Sequence, residues 1–412
     1  GNVLKDQGKP DKAISYYQKA LKLKPDYPEA SNNLGAAFQN QNKFDQAISC
    51  YRKALQLRPG YTEVHINMGT AFQYMCRLDK AISCYQKALK QEPKNADAHF
   101  HYSFSLLLNG NMKNGWKEYE WRLLKDEWKK MHTYDHDIPR WDGGKFKGKT
   151  LFVHAEQGLG DTLQFVRYLP EVKNLGGNVI FEANKSLQSL FQDFQGIDEL
   201  VPLSSTEKSI SNCDLYTPLM SIPGLLATSL DTIPAEVPYI HADPEKASYW
   251  GRRITGGRFK VGLVWAGKRA PNDNRPCELR QFLPLAGIPG VQLFGLQQEE
   301  AAAQVQGLPE GMVVTNLGED FQDFADTAGA IANLDLVISI DTSVAHLAGA
   351  MGKTVWTLLP FAPDWRWLLH REDSPWYPTM RLFRQKKPGA WDDVLQRVAQ
   401  ELRVSAKINF TS

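Results

Sequence analysis

A strict 34-residue period occupies the first third of this 412-residue chain and constrains its fold more than any other feature. Three ten-residue segments, beginning at Lys12, Gln46 and Lys80, align without gaps. The same 34-residue spacing relates three kinds of position. The small residues are Ala13, Ala47 and Ala81; the aromatic residues are Tyr17, Tyr51 and Tyr85; and the prolines are Pro25, Pro59 and Pro93. Small residues let two helices approach, the tyrosine fills the space between them, and proline ends the second helix. The period therefore predicts an α-solenoid of stacked helix pairs.

The last unit of this array departs from the pattern and is predicted to cap it. Glu127 stands at the proline position, and Trp116 and Trp121 precede it. A terminal repeat must present a different face, because no further repeat covers it. We therefore expect residues 1–130 to be tetratricopeptide repeats that end in an atypical capping repeat, which docks onto the remainder of the chain.

Asn33 and Asn67 hold equivalent places on the first helix of their repeats. An asparagine on the concave side of a solenoid can both donate to and accept from an extended polypeptide backbone. A hydrogen bond between neighbouring repeats is the alternative. Both residues are therefore candidate acceptor-binding residues, and the repeats predict a polypeptide partner. Some arrays of this kind self-associate, which leaves a homo-oligomer open.

The rest of the chain alternates apolar strands with helices, which predicts parallel sheets covered on both faces. One set of strands begins at Thr150, and a second set of five begins at Lys260. Two such sheets facing each other leave a cleft at the carboxyl ends of their strands, where ligands usually bind. The predicted parts are a connector over 131–147, a first Rossmann-like domain over 148–244, a linker over 245–259, a second Rossmann-like domain with a C-terminal helix over 260–402, and a tail over 403–412.

Charge and cysteine usage narrow the classes of partner. Lys plus Arg total 48 and Asp plus Glu total 46, so the net charge of +2 gives no generic nucleic-acid footprint. No apolar run approaches the ~20 residues of a membrane-spanning helix. Five cysteines without a C-x-x-C pair argue against a disulfide framework or a zinc site and indicate a reducing compartment. We therefore expect a cytoplasmic protein with no membrane span and no nucleic-acid partner.

The sharpest motif begins where a buried strand ends at Ile340. Asp341 and Thr342 are favourable N-cap residues, and a helix of small residues starts at Ser343. The N-terminus of a helix presents N–H groups and the positive end of its dipole, which together favour an anion. His346 lies one turn in and can donate to a phosphate oxygen. The alternative is that Asp341 and Thr342 only cap the helix and His346 only packs.

A glycine-rich turn over residues 156–162 follows the first strand of the first sheet. Asp161 lies at the start of the helix after this turn, where a carboxylate at the cleft can act as a general base on an acceptor hydroxyl. Gln157 lies in the same turn and is a candidate acceptor-binding residue. Capping of the helix is the alternative role for Asp161.

Three further strand-end segments carry polar or aromatic residues. Trp265 ends a strand, and Lys268 and Arg275 in the loop after it either neutralise a diphosphate or are ordinary exposed cations. The acidic residues of 317–327 can hold a ribose. Residues 360–367 place an arginine between two tryptophans, which fits either a sugar or base pocket or simple loop packing.

These motifs resemble those of a known family. Residues 260–402 resemble the carboxyl-terminal domain of the ADP-heptose:lipopolysaccharide heptosyltransferases, centred on Asp341-Thr-Ser-Val-Ala-His346 and the Ala-x-Gly-Lys-x-Val run after it. Gly160-Asp161-Thr162 resembles the first-domain motif of that family. The whole chain resembles bacterial proteins that join tetratricopeptide repeats to a heptosyltransferase-like glycosyltransferase, with signature stretches at 154–169 and 362–368.

The resemblance implies a GT-B glycosyltransferase that binds a nucleotide-diphosphate sugar on the second domain and the acceptor on the first. It implies that Asp161 is the candidate base of an inverting displacement. We expect this chemistry to use no metal ion and no cofactor. The attached repeats suggest a polypeptide hydroxyl as the acceptor. The alternatives are a catalytically inactive nucleotide-sugar-binding scaffold and a transferase that acts on a glycan or lipid. The expected donor-binding residues are Asp341, Thr342, Ser343, His346, Lys268, Arg275 and Trp265.

Overall fold

The structure, a computed structural model, describes residues 1, 9–125, 128, 138–203, 212–256, 259–267 and 277–411, without the side chains of 408–411. It divides into two compact units. The first comprises Gly1–His132 together with the separate segment Ala362–Leu369, and the second comprises Thr133–Phe361 and His370–Ser412. The repeats lie in the first unit, and two parallel sheets lie in the second.

The first unit is helical, as the period predicts. Consecutive helices of the array pack on one another, so the α-solenoid is confirmed for the described residues. The helices are α1 Pro10–Leu23, α2 Pro28–Asn40, α3 Phe44–Leu57, α4 Thr62–Tyr74, α5 Leu78–Gln91, α6 Ala96–Leu108 and α7 Met112–Tyr119, followed by a 3₁₀ helix at Glu120–Leu124.

Close helix packing in the repeats depends on a glycine opposite a tyrosine. A Cβ added at Gly35 would lie 2.5 Å from Tyr51 Cε1, and one added at Gly69 would lie 2.7 Å from Tyr85 Cε1. Both tyrosine side chains are fully buried, and each hydroxyl donates to a glutamine side chain of the preceding helix. The ring therefore fills the space that a larger residue would need, which explains why the period repeats this pair.

We expect Gly69→Ala to destabilise the repeats by about 1–3 kcal/mol, because the buried Tyr85 ring has no room to retreat from a new methyl group. Loss of helical circular dichroism in urea measures the effect on the full chain. Gly60→Ala is the matched control, since its added Cβ would lie 3.5 Å from the nearest atom, Oε1 of Gln91. Equal unfolding midpoints for the two variants would contradict the packing argument.

Four parallel strands form the first sheet of the second unit. They are β1 Thr150–His154, β2 Asn178–Ala183, β3 Glu199–Pro202 and β4 Leu215–Pro218, in the order β3-β2-β1-β4. Its helices are α8 Leu159–Phe165, α9 Leu169–Asn174, α10 Gln188–Phe191 and α11 Ile222–Leu225. The strand order reverses between β1 and β4, so the turn after β1 lies at a topological switch point, where open parallel sheets bind ligands.

Six parallel strands form the second sheet. After helix α12 Pro244–Gly251, they are β5 Phe259–Val264, β6 Val291–Gly295, β7 Val314–Asn316, β8 Leu336–Ile340, β9 Val355–Leu359 and β10 Met380–Arg384, in the order β10-β9-β8-β5-β6-β7. The other helices are α13 Phe324–Ala332, α14 Ser343–Ala350 and α15 Trp391–Thr411. One buried cluster joins Val261 and Ile338 of the strands to Val394 and Val398 of α15. The switch point of this sheet lies between β5 and β8.

Three predicted boundaries differ from the structure. The second sheet has a sixth strand, β10, where arginines interrupt the apolar pattern. Helix α12 occupies the first half of the predicted linker, because Pro244 starts it and the Asp243 carboxylate accepts the Lys246 N–H at 2.8 Å. Helix α15 continues through most of the predicted tail. Neither α15 nor any other described helix is long and apolar enough to cross a membrane.

Candidate functional site

Three strand-end turns meet in the second unit. A Cβ added at Gly160 in α8 would lie 3.5 Å from the Cα of Ser343, at the start of α14. One added at Gly267, after β5, would lie 3.3 Å from Cγ2 of Thr342. Helix α8 follows a strand of the first sheet, whereas Thr342 and Ser343 follow β8 of the second. The structure therefore brings together the turns after β1, β5 and β8.

The side chain of Thr342 does not cap α14. Thr342 is the N-cap residue, but its hydroxyl lies 2.9 Å from Ser339 Oγ and makes no capping hydrogen bond. Its backbone carbonyl accepts the N–H groups of Ala345 and His346. The first N–H groups of a helix have no partner within the helix. The start of α14 therefore has the donors and the dipole that suit an anion.

His346 is buried beside the start of α14, with 6% of its side chain exposed. Its Nδ1 lies 2.9 Å from the Tyr377 hydroxyl, and its Nε2 lies 3.8 Å from Oδ1 of Asp341. Gly160 lies against the ring, since an added Cβ there would be 2.9 Å from Cδ2 of His346. Groups from three segments thus hold the imidazole in one place.

Asp161 has a structural role in its own turn. Its Oδ2 accepts the backbone N–H of Gly158 at 2.9 Å, which is the carboxylate half of a capping box at the start of α8. The Thr162 hydroxyl donates to the Gly158 carbonyl at 3.3 Å. Capping, one of the two predicted roles, is therefore observed through Oδ2, and the general-base role stays a prediction. Gln157 is exposed in the same turn.

Trp265 is a core residue, and its predicted role in donor binding stays a prediction. Its side chain has no exposed surface, and its Nε1 donates to the Ala301 carbonyl at 3.2 Å. Its backbone N–H donates to Oε1 of Gln297 at 3.3 Å. Side chains alternate between the two faces of a sheet, and the indole continues the alternation of Val261 and Leu263 into the buried cluster that includes α15. Lys268 and Arg275 lie outside the described residues, and their contact with a diphosphate stays a prediction.

The acidic segment 317–327 is built into the fold at Asp326. Its carboxylate accepts from Lys246 Nζ at 2.8 Å, Trp250 Nε1 at 3.2 Å and the Gln322 N–H at 3.0 Å. Burial alone would raise the pKa of Asp326, but these hydrogen bonds and the Lys246 charge lower it below the usual value. This carboxylate therefore joins α12 to α13, and a ribose contact by the acidic residues of the segment stays a prediction.

The segment that places Arg366 between two tryptophans packs, through Trp365, against the capping repeat within the first unit. Trp365 meets Trp116 edge to face with ring centroids 5.3 Å apart, and Arg366 Cζ lies 4.4 Å from the Trp365 ring centroid. Arg366 also donates to Oδ1 of Asp364 at 2.8 Å, and Trp367 is fully buried. Of the two predicted roles, the structure supports packing. The atypical repeat docks, through Trp116, on a segment much later in the chain.

Asn67 makes a hydrogen bond between neighbouring repeats. Its Nδ2 donates to Oδ1 of Asn32 at 3.0 Å, and Asn32 donates to Oε1 of Glu63 at 2.9 Å. Asn33, the next residue along α2, is half-buried. Of the two predicted roles of Asn67, the structure therefore favours the hydrogen bond between repeats over peptide binding as its sole role.

Arg167 and Tyr377 belong to the site and were not predicted from the sequence. Tyr377 is fully buried beside His346, and Arg167 Cζ lies 4.6 Å from the Tyr377 ring centroid. The sequence does carry a signal for Arg167, because this cation lies within an apolar run, and a cation is buried only when it is paired. Tyr377 gives no such signal, since its partner is 31 positions away in the chain.

Among the described residues, no group of three or more His, Cys, Asp or Glu side chains is arranged to hold a metal ion. An Asp-x-Asp sequence occurs at Asp135 and Asp137, which lie outside the described residues. Metal-independent chemistry therefore stays a prediction.

Two family models match the repeats. A model described as a TPR repeat matches residues 1–42, and one described as a tetratricopeptide repeat matches residues 28–61 and 62–95. The chain therefore contains tetratricopeptide repeats.

One similar protein matches the chain well beyond the repeats. Protein FlbA of Caulobacter vibrioides is 29% identical to this chain over an alignment of 328 residues, and the match covers 72% of this chain and 53% of FlbA. The chain thus spans about half the length of this curated relative.

Similar solved structures cover a smaller share of the chain. A crystal structure of MamA is 26% identical and covers 32% of this chain and 77% of its own, with a TM-score of 0.29. The first TPR of Spaghetti (RPAP3) bound to the HSP90 peptide SRMEEVD is 31% identical and covers 25% of this chain and 81% of its own, with a TM-score of 0.24.

Proposed function

We propose that this chain is a glycosyltransferase that moves a sugar from a nucleotide-diphosphate donor to a polypeptide hydroxyl, with its two parallel sheets in a GT-B arrangement. The observation that carries the proposal is the close approach of Gly160 to His346, 2.9 Å for an added Cβ. This approach puts the turn after β1 beside the start of α14, and both follow strands at switch points, where parallel sheets bind ligands. The juxtaposition supports an acceptor at the first turn and a donor at the second.

In the proposed reaction, Asp161 takes the proton of an acceptor hydroxyl as the oxygen attacks the anomeric carbon. The bond from that carbon to the diphosphate oxygen breaks, and the nucleoside diphosphate leaves with the electron pair. Negative charge therefore grows on the diphosphate, where the start of α14 and His346 offer N–H donors. Lys268 and Arg275 are further cations for the same charge. A single displacement from the opposite side inverts the anomeric centre.

The repeats are proposed to hold the polypeptide partner. Tetratricopeptide arrays present an extended surface to other proteins, and Asn33 and Asn67 on the first helices are its candidate polar contacts. Asn67 keeps amide capacity beyond its single donated bond to Asn32. A transferase directed to a glycan or lipid, with repeats that only recruit a partner, is distinguished by comparing peptide and glycan acceptors in one assay.

A nucleotide-sugar-binding protein without transferase activity is the second candidate. The hydrogen bond from the Gly158 N–H to Asp161 favours it, because a carboxylate that caps a helix needs no catalytic role. Transfer or hydrolysis of the bound donor excludes this candidate.

A thermal-shift panel of uridine, guanosine, cytidine, thymidine and adenosine diphosphate sugars tests the donor site. A ligand at ~100 times its dissociation constant should stabilise the fold by about 2.7 kcal/mol. We expect one nucleotide to raise the Tm of the wild type and the shift to disappear in His346→Ala. The exposed His241 provides the matched control, since His241→Ala should keep the shift. No shift for any nucleotide in well-folded protein would remove the donor site from the proposal.

A further inference from the structure

One buried cation joins three segments of the second unit. Arg167, 4% exposed, donates through Nε to the Gln164 carbonyl at 2.8 Å. Its Nη1 donates to the carbonyls of Pro234 at 3.3 Å and Trp376 at 2.6 Å, and its Nη2 to the Tyr239 hydroxyl at 2.7 Å. Four oxygen acceptors thus compensate a charge that would otherwise be costly to bury. Arg167 connects the segment after α8 to the loops before α12 and before β10.

Arg167 and α14 together confine the ring of Tyr377. The guanidinium carbon lies 4.6 Å from the ring centroid, and the bond to the Trp376 carbonyl fixes the neighbouring residue. On α14, Gly349 makes room for the ring, since an added Cβ would lie 2.7 Å from Cγ of Tyr377. The hydroxyl then reaches Nδ1 of His346 at 2.9 Å. Burial raises the pKa of Tyr377 well above its usual value, so the phenol keeps its proton.

The direction of the Tyr377–His346 bond follows from the groups around it. The Tyr239 hydroxyl is the other side-chain partner of the Tyr377 hydroxyl, but it donates to the Leu163 carbonyl at 2.9 Å and already accepts from Arg167. Tyr239 therefore does not donate to Tyr377, and it competes with Nδ1 of His346 only as an acceptor. A phenol O–H is a better donor than the N–H of a neutral imidazole, and an imidazole nitrogen is the better acceptor. The nearby Arg167 charge strengthens the phenol as a donor. The favoured arrangement has Tyr377 donating to Nδ1.

We propose that Arg167 is a positioning residue for His346. By fixing Tyr377, it makes the phenol donate to Nδ1 and leaves the imidazole proton on Nε2. Nε2 is the nitrogen on the side of Asp341, whose Oδ1 is 3.8 Å away. An N–H at that position, beside the start of α14, is suited to an oxygen of a diphosphate. That last role rests on the proposed function, whereas the hydrogen bond to Nδ1 does not.

Nitrogen-15 NMR of the full chain, labelled at histidine, tests the hydrogen bond directly. Loss of a signal pair in His346→Gln assigns His346, and long-range proton–nitrogen correlations show which ring nitrogen carries hydrogen. We expect Nε2 protonated and Nδ1 accepting in the wild type. In Tyr377→Phe and in Arg167→Met, the Nδ1 signal should move toward that of a nitrogen that accepts no hydrogen bond. A protonated Nδ1 in the wild type would overturn the proposal.

Two controls separate positioning from loss of fold. Tyr377→Phe keeps the ring and its contact with Gly349, so it reports on the hydroxyl even where Arg167→Met unfolds. Arg253→Met removes another arginine that stacks on a ring, Trp250 at 4.8 Å, and should leave the His346 signals in place. An unmoved Nδ1 signal in folded Arg167→Met would also overturn the proposal.

The affinity for a nucleoside diphosphate tests the second part of the proposal, the contact of the His346 Nε2–H with a diphosphate. Uridine and guanosine diphosphates, titrated separately, should bind Tyr377→Phe and Arg167→Met about tenfold more weakly than the wild type, the cost of one hydrogen bond to a charged group. Wild-type affinity in variants whose Nδ1 signal has moved would overturn the diphosphate role of Nε2. If the whole nucleotide panel fails with the wild type, the proposed function fails, and the NMR result still decides the role of Arg167.

Discussion

Asp161→Asn is expected to reduce sugar transfer by about 10²–10⁴-fold, the usual contribution of a positioned general base. The asparagine Oδ1 can still accept the Gly158 N–H that the carboxylate accepts at 2.9 Å, so the start of α8 should keep its cap. The amide cannot take a proton from an acceptor hydroxyl, however, and only the chemical step should suffer. Transfer from the nucleotide sugar that binds in the panel, followed by product mass, measures the effect.

The comparison with Asp161→Ala and Asp243→Asn makes this prediction specific. Asp161→Ala removes both the cap and the base, so it should add a loss of stability to the loss of transfer. Asp243 is a second capping aspartate, which accepts the Lys246 N–H at 2.8 Å at the start of α12, and Asp243→Asn should transfer at the wild-type rate. Full activity in Asp161→Asn would leave capping as the role of this residue. The nucleotide-binding candidate without transfer would then gain weight.

Gly160→Ala should reduce donor affinity and transfer together, in contrast to Asp161→Asn. The new Cβ would lie 2.9 Å from Cδ2 of His346 and 3.5 Å from the Cα of Ser343, so the imidazole or α14 must move. Displacement of a catalytic group by about 1 Å can cost roughly 10²-fold in rate. Overpacking of this kind also lowers the free energy of unfolding by about 1–3 kcal/mol. Isothermal titration with the nucleotide, together with the transfer assay, measures both effects.

Gly307→Ala is the matched control for Gly160→Ala. Gly307 also lies in a helical turn, and no atom lies within 4 Å of a Cβ added there. The control should therefore bind the nucleotide as the wild type does, which separates the position from the cost of the substitution itself. Unchanged affinity and rate in Gly160→Ala would mean that the contact between the two turns has no part in the site.

The repeat fold could be predicted from sequence because its determinants are local and recur. A glycine and the tyrosine that it contacts, such as Gly35 and Tyr51, lie within one 34-residue unit. The repeated spacing of the two residue types therefore predicts their contact. The two sheets could be predicted from apolar strands alternating with helices. Strand β10 could not, because Arg381 and Arg384 break the apolar pattern at an edge of the sheet, where the outer side of the strand forms an isolated bridge between Arg381 and Asp373.

The site could be predicted only as far as the strand ends. Sequence position showed that Gly160 and Ser343 follow strands, and the switch-point rule brings such turns together. It could not show which way a side chain turns, and the indole of Trp265 lies in the core. Nor could it show that Tyr377 contacts His346 or that Arg167 stacks on Tyr377, since these contacts depend on distant parts of the chain.

Strands β9 and β10 pair in the second sheet, yet part of the segment between them, Ala362–Leu369, belongs to the unit of the repeats. Two separate segments of the polypeptide therefore form the repeat unit: Gly1–His132, and Ala362–Leu369 from the connection between β9 and β10. An end-to-end gene fusion would not by itself create this arrangement, because Trp365 of Ala362–Leu369 must pack against Trp116 of the capping repeat. The array is thus not an interchangeable module, and a chimaera carrying a foreign array would have to exchange Ala362–Leu369 along with it.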